Sequence, residues 1–315
     1  MARRLIITGS RGQLGQCLVR RVEADPRYKL AGAYTHEDLD IADPQAVASL
    51  VGGLASGRDS DWGCDVLINA AAFTGVDACE TQWDESFRVN AMAPGCLAEA
   101  CQASAVKLVH VSTDYVFDGE SEVPYAEDAP TAPRTAYGRG KLEGEQRVLD
   151  ALPESLVVRT SWVFGPGNNF VLAILRQARL RRSGELTGPL TVVDDQVGCP
   201  TYSDDLAGGL LALVEREAEG IFHLANSPRS SDQADTWWDF AVEILARTGH
   251  GDLAIDRIKT ADLDLPAHRP ANSRLDCSRA AALGVSMRPW PEALRGYLES
   301  IEGPADAAPV SELRD

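Results

Sequence analysis

The apolar positions of this chain fall into short β-branched runs, each followed by a longer stretch with helical spacing. Residues 4–8 (R-L-I-I-T) form the first run, cut off at once by glycine, and L-G-Q-C-L-V-R-R-V then repeats its apolar residues at helical intervals. Residues 29–34 predict a second strand, 45–54 a helix capped by Asp43 ahead of Pro44, and 65–69 (D-V-L-I-N) a third strand. A helix over 84–103 precedes a fourth strand over 107–113 (K-L-V-H-V-S-T), ending in a hydroxyl cluster. Another helix runs through L-E-G-E-Q-R-V-L, and 155–165 predict a fifth strand. Strict alternation of strands and helices implies a parallel, doubly wound α/β sheet with right-handed crossovers.

Past Gly165 the alternation loosens. G-N-N-F (167–170) opens a helix carrying Arg176, Arg179, Arg181 and Arg182, and L-T-V-V-D-D-Q predicts a short strand. A helix over 203–217 and a strand over 220–226 return to the main sheet. A helix over 232–249 holds Trp237 and Trp238, a polar loop covers 268–276, and a last helix covers 290–301. The expected organisation is therefore a Rossmann domain over 1–165 and 192–228. A smaller, mostly C-terminal substrate domain takes 166–191 and 229–302, and the Ala/Pro/acidic tail 303–315 is expected to be disordered.

Composition changes this picture mainly by exclusion. A net charge of −17 repels nucleic acid and anionic lipid, so neither is an expected partner. No apolar run reaches the ~18–20 residues of a membrane span, and the apolar run at the N-terminus is too short for a signal peptide. The seven cysteines are odd in number and lack C-x-x-C spacing, and the five histidines are scattered. Free thiols in a reducing cytoplasm and no metal centre are the expectation.

Candidate chemistry sits at strand ends. Gly9, Gly12 and Gly15 make a G-x-x-G-x-x-G turn, with Arg11, Gln13 and Leu14 between them, where backbone N–H groups at a helix N-terminus can meet a pyrophosphate. Asp40 and Ile41 could flank an adenine, and Asn69 with Ala70, Ala71 and Ala72 leaves room for a cofactor along the third strand. Where an NAD-selective site has an acidic residue this chain has Thr35 and His36, and Arg11 could attract a 2′-phosphate. NADP(H) is the expected cofactor, with NAD(H) admitted. Tyr137 and Lys141, four residues apart, share one helical face. A nearby ammonium would lower the phenol's pKa, fitting it to exchange a proton with a carbonyl or alcohol oxygen that Thr113 also contacts.

The segments G-S-R-G-Q-L-G, D-L-D-I, N-A-A-A-F-T-G-V-D-A-C-E, V-S-T-D-Y-V-F-D-G, A-Y-G-R-G-K-L-E-G-E, R-T-S-W-V-F-G, D-D-Q-V-G-C-P-T and H-R-P-A-N-S-R-L-D, in this order, cover about residues 4 to 300. Together they resemble the dTDP-4-dehydrorhamnose reductase family of extended short-chain dehydrogenases/reductases. The resemblance implies Tyr137 as proton donor to a sugar keto oxygen, Lys141 as its partner and holder of the nicotinamide ribose, and Thr113 as the hydroxyl partner. It implies NADPH-dependent reduction at carbon 4 of dTDP-4-dehydro-6-deoxy-L-mannose, giving dTDP-L-rhamnose. Thr74, Val76, Asp114, Tyr115 and Trp162 would line the sugar pocket, and Arg269 and Arg274 would meet the substrate's diphosphate. Some family members form a homodimer aided by a divalent metal whose first-helix carboxylate would fall at Cys17, where a thiol disfavours that metal. The same motifs also fit a ketoreductase or epimerase on a related deoxysugar, including a dihydrostreptose-type synthase. They fit, too, a non-catalytic subunit like the regulatory partner of methionine adenosyltransferase.

Overall fold

A computed structural model describes residues 2–55, 64–230 and 234–302. The tail from Gly303, most of the loop after Leu54 and residues 232–233 of the helix expected over 232–249 lie outside the described residues. That helix begins only at Trp237, where the Thr236 side chain caps it after a short strand at Asp235–Thr236.

Strands β1 (Arg3–Thr8), β2 (Tyr28–Tyr34), β3 (Val66–Asn69), β4 (Lys107–Thr113) and β5 (Leu156–Thr160) alternate with helices as the apolar pattern requires. The helices are α1 (Gln13–Ala24), α2 (Pro44–Ala55), the short α3 (Val76–Thr81) and α4 (Trp83–Phe87), α5 (Ala93–Ser104) and α6 (Ala136–Ala151). After the two-residue β6 (Val163–Phe164) come α7 (Phe170–Arg182), β7 (Leu190–Val193), β8 (Val197–Gly198) and β9 (Thr201–Tyr202). Then follow α8 (Ser203–Glu215), β10 (Gly220–His223), β11 (Asp235–Thr236), α9 (Trp237–Arg247), β12 (Ile255–Ile258), α10 (Ser278–Ala282) and α11 (Trp290–Glu302).

Six parallel strands form the main sheet in the order β10-β5-β4-β3-β1-β2. Both faces are covered, and the period of two is visible in what each strand buries. Leu5, Ile7, Val66, Ile68, Val109, Leu156 and Val158 join one core with α1 and α8. Ile6, Leu67, Leu108 and Val157 point the other way, into a core with α2, α5 and α6. A further cluster, with Phe164, Ile174, Tyr202, Phe240, Trp290 and Tyr297, ties α7, α9 and α11 together. The chain builds outward from β1 to β2, then crosses back to place β3 on the other side. A crevice opens at such a reversal, outside the carboxyl ends of β1 and β3.

Two expected elements are interrupted. The helix expected over 84–103 is split by a π-helical turn, Arg88–Met92, and restarts with Pro94 in the first turn of α5. The widened turn buries Asn90, whose amide both accepts from Phe73 N–H (2.9 Å) and donates to Phe73 O (3.0 Å), fixing the loop after β3. The strand expected over 155–165 breaks at Trp162, which adopts a left-handed φ of 48°. That conformation costs a non-glycine residue about 1–2 kcal/mol, and the Trp162 ring stacks on Trp237 at 3.7 Å between centroids and 11° between planes.

Candidate active site

The glycine turn is shaped for a close approach. Gly9 has a φ of 71°, and a Cβ there would lie 2.6 Å from Ala71 N. At Gly15 a Cβ would fall 2.1 Å from Gly9 O, so α1 can begin against the turn only without a side chain. Gly12 N–H donates to Gly9 O at 3.0 Å, closing the turn just ahead of the helix start, whose first N–H groups have no partner within the helix. Replacing Gly15 by valine is expected to weaken binding of the expected dinucleotide at least tenfold, read by fluorescence titration with NADPH, because the Cβ must push α1 off the turn.

The catalytic candidates come from the next strands. β4 delivers Thr113, whose hydroxyl donates to Asp114 Oδ1 (3.0 Å) and accepts from Tyr115 N–H (3.2 Å). The α6 N-terminus is fixed by Thr135, which accepts from Gly138 N–H (2.9 Å), and by Glu80, which accepts from Ala136 N–H (2.7 Å). From that anchored turn Tyr137 meets Tyr115 edge to face, with 5.5 Å between ring centroids. One turn later Lys141 is buried, and its Nζ donates to Val111 O at 2.7 Å.

The electrostatics differ from the sequence expectation. Burial raises the Tyr137 phenol above its ordinary value; the Thr113 hydroxyl opposes this, and Lys141 is not among the groups that move it. Burial also presses Lys141 down to about 8, against a smaller upward pull from Glu145. Four-residue spacing guarantees a shared face but not a shared proton: the lysine nitrogen turns to Val111 O and to His110 Nε2, 3.3 Å away. Asp114 is pushed up to about 6 by its burial.

A single cleft of about 710 Å³ joins these parts. Gly9, Arg11, Gly12, Gln13 and Leu14 form one end with Asp40 and Ile41, and Ala70, Ala71 and Ala72 form the floor. Thr113, Tyr137 and Lys141 stand midway, and Thr74, Val76, Asp114, Tyr115 and Trp162 also line it. Four sequence candidates are not on its wall. Gly15 packs beneath the turn. Asn69 is buried, its Oδ1 accepting from Thr8 Oγ1 (2.7 Å) and Ala71 N–H (3.1 Å). Arg269 pairs with Asp77 at 2.5 Å and acts on the Tyr115 phenol. Arg274 donates to Asn272 Oδ1 (2.9 Å) and Glu122 O (2.6 Å), tying two loops together.

The sequence reading overlooked Glu85 and Arg88 at the cofactor end, where Arg88 Nη1 reaches both Asp40 oxygens at 3.0 and 2.9 Å. Pro94 was the available signal, since a proline inside a helical pattern marks a restart and hence a displaced turn before it. Arg11, exposed at the rim, pairs with Glu37 at 2.8 Å. All seven cysteines are free. Cys17 is buried with Sγ 3.3 Å from Ser203 Oγ. Among the described residues no group of three or more His, Cys, Asp or Glu is arranged to hold a metal, and no helix is long and apolar enough to cross a membrane.

A phosphate-sized turn at the sheet's reversal, with a hydroxyl, a phenol and a lysine along the same cleft, defines a nicotinamide-dependent oxidoreductase of the short-chain dehydrogenase/reductase type. Residues 3–302 match the family described as RmlD substrate binding domain. The chain is 38% identical to a dTDP-4-dehydrorhamnose reductase of Mycolicibacterium smegmatis, over 98% of this chain and 89% of that protein. It is 40% identical to a probable dTDP-4,6-dihydroxy-2-methyloxan-3-one 4-ketoreductase of Streptomyces antibioticus, over 95% of each. A crystal structure of dTDP-4-dehydrorhamnose reductase from Bacillus anthracis in complex with NADP is 30% identical, covers 95% of this chain and 100% of its own, and superposes with a TM-score of 0.85. The chain belongs to the dTDP-4-dehydrorhamnose reductase family.

Proposed function

We propose that this protein reduces the 4-keto group of dTDP-4-dehydro-6-deoxy-L-mannose with NADPH, giving dTDP-L-rhamnose. The observation that carries the reading is the continuity of the cleft, from the glycine turn past Tyr137 to Trp162. In this reading the turn at Gly9–Leu14 receives the cofactor's diphosphate, Asp40 and Ile41 flank its adenine, and Ala70–Ala72 leave space for its body. The bound cofactor supplies the hydride. Tyr137 gives its proton to the oxygen at carbon 4, beside the Thr113 hydroxyl, and the Lys141 ammonium holds the nicotinamide ribose. Asp114, with its partly neutral carboxyl, and Tyr115 orient the sugar; Thr74, Val76 and Trp162 shape its pocket. Arg269, one contact behind Tyr115, is better placed than Arg274 to reach a diphosphate. The separate core joining α7, α9 and α11 supports assigning residues 166–191 and 229–302 to the substrate.

Following NADPH absorbance with enzymatically generated dTDP-4-keto-L-rhamnose, and identifying the product, tests this reading. No NADPH consumption with that sugar, but turnover of a related dTDP-4-keto sugar, would favour the second reading, a ketoreductase like the Streptomyces antibioticus relative.

Two further outcomes are expected. Reduction needs Tyr137 protonated and Lys141 charged. Tyr137 keeps its proton through the neutral and alkaline range, whereas Lys141 loses its own near 8, so kcat should be full below that pH and decline above it. A pH profile of kcat at saturating substrate checks this. In Arg11→Ala, the preference for NADPH over NADH should drop about tenfold, the equivalent of one lost charge-assisted hydrogen bond. An unchanged ratio would clear Arg11 of any 2′-phosphate contact.

A further inference from the structure

Behind Lys141 lies a line of buried polar side chains that the proposed chemistry does not use. Asn69 Oδ1 receives both the Thr8 hydroxyl (2.7 Å) and the Ala71 backbone N–H (3.1 Å). Two donors on one atom identify it as the amide oxygen, so the other end of the amide is its NH2 group. That nitrogen lies 3.1 Å from His110 Nδ1. It has only protons to offer, and Nδ1 must therefore accept. Burial, and secondarily the lysine, hold His110 well below its ordinary pKa, so the ring is neutral. Its one proton then sits on Nε2, which is 3.3 Å from Lys141 Nζ.

We propose that His110 is a positioning residue: held by Asn69 as the Nε2–H tautomer, it aims a proton at Lys141 Nζ and favours the amine over the ammonium. An ammonium has three donors and no acceptor, so an N–H directed at it makes a contact of donor against donor. An amine accepts that proton with its lone pair and keeps two N–H bonds, one for Val111 O and one for a ligand hydroxyl. The other groups around Lys141 do not supply this bias. Glu145, one turn along α6, favours the ammonium, but its carboxylate is engaged by Arg159 from β5 at 2.7 Å. Tyr137, one turn back, stays neutral, and Asp114 lies beyond the end of β4 beside Thr113. Burial lowers Lys141 first, and a framework of β1, β3 and β4 (Thr8, Asn69, His110) that never touches the sugar adds to it, moving the pH at which turnover declines further down. The consequence for rate rests on the reading proposed above; the protonation state does not.

Four lysines and five histidines make the residues resolvable by NMR of the protein without ligands, after labelling each amino acid in turn. Nitrogen-15 spectra should find the His110 proton on Nε2, and the carbon-13 resonance of Lys141 should titrate at about 8. In His110→Leu the midpoint should rise by about one pH unit or more. Loss of a polar ring alone would lower it, so the direction separates an aimed proton from mere packing. Should that variant not fold, Asn69→Leu, close to Asn69 in size, decides: without the amide N–H the proton moves to Nδ1, the Nε2 lone pair turns to the ammonium, and the midpoint rises likewise, where lost polarity alone would lower it. A proton found on Nδ1 in the wild-type protein, or a midpoint that stays or falls in the folded variants, overturns the proposal. Failure to reduce the proposed sugar would leave these titrations untouched.

Discussion

Replacing Tyr137 with phenylalanine is expected to lower turnover about 10²–10⁴-fold, the range a positioned proton donor commands, while NADPH still binds. The substitution removes one oxygen and leaves the edge-to-face contact with Tyr115 intact, so the loss reports chemistry and not packing. Single-turnover kinetics at saturating substrate would measure the chemical step, and a fluorescence titration would measure the cofactor. Near-normal single-turnover rates would remove Tyr137 as the proton donor, because Thr113 already commits its hydroxyl to Asp114.

Glu145→Ala should give the largest effect on stability. Arg159 and Glu145 have side chains only 3% and 2% exposed, bonded through Nε at 2.9 Å and Nη2 at 2.7 Å. The guanidinium also donates to Glu127 O (3.2 Å) and lies 5.0 Å from the Phe117 ring centroid. Deleting the carboxylate leaves a buried cation without its partner, a change that costs about 3–5 kcal/mol. Urea unfolding of the wild type and the variant would measure it. A loss below about 1 kcal/mol, typical of a solvated pair, would mean that water reaches this site. The same deletion removes the upward pull on Lys141, so the decline of kcat should move to lower pH.

The sheet was legible in the sequence because both of its faces are buried. β4 spans the predicted residues 107–113, and the return of β10 to the sheet follows from the same short apolar pattern. The cleft was legible where residue type carries geometry: glycine at a tight turn, alanines after Asn69, a tyrosine and a lysine one turn apart. What remained hidden depends on contacts between distant segments. Nothing in T-S-W-V marks Trp162 as left-handed, since the conformation is held by a ring 75 positions later. The ionisation of Tyr137 and Lys141 depends on how deeply each is buried, which spacing does not encode. Arg269 and Arg274 belong to one polar loop, yet one backs onto the cleft and the other fastens loops elsewhere.

The stack of Trp162 on Trp237 couples discrimination to architecture. In the proposed reading, one wall of the sugar's berth is clamped by a helix that leaves the ribosome long after the residues of the cofactor cradle. A nascent chain would thus gain a seat for the nucleotide before it could tell one hexose from another. Lesions in that late helix should blunt sugar choice first and spare the coenzyme.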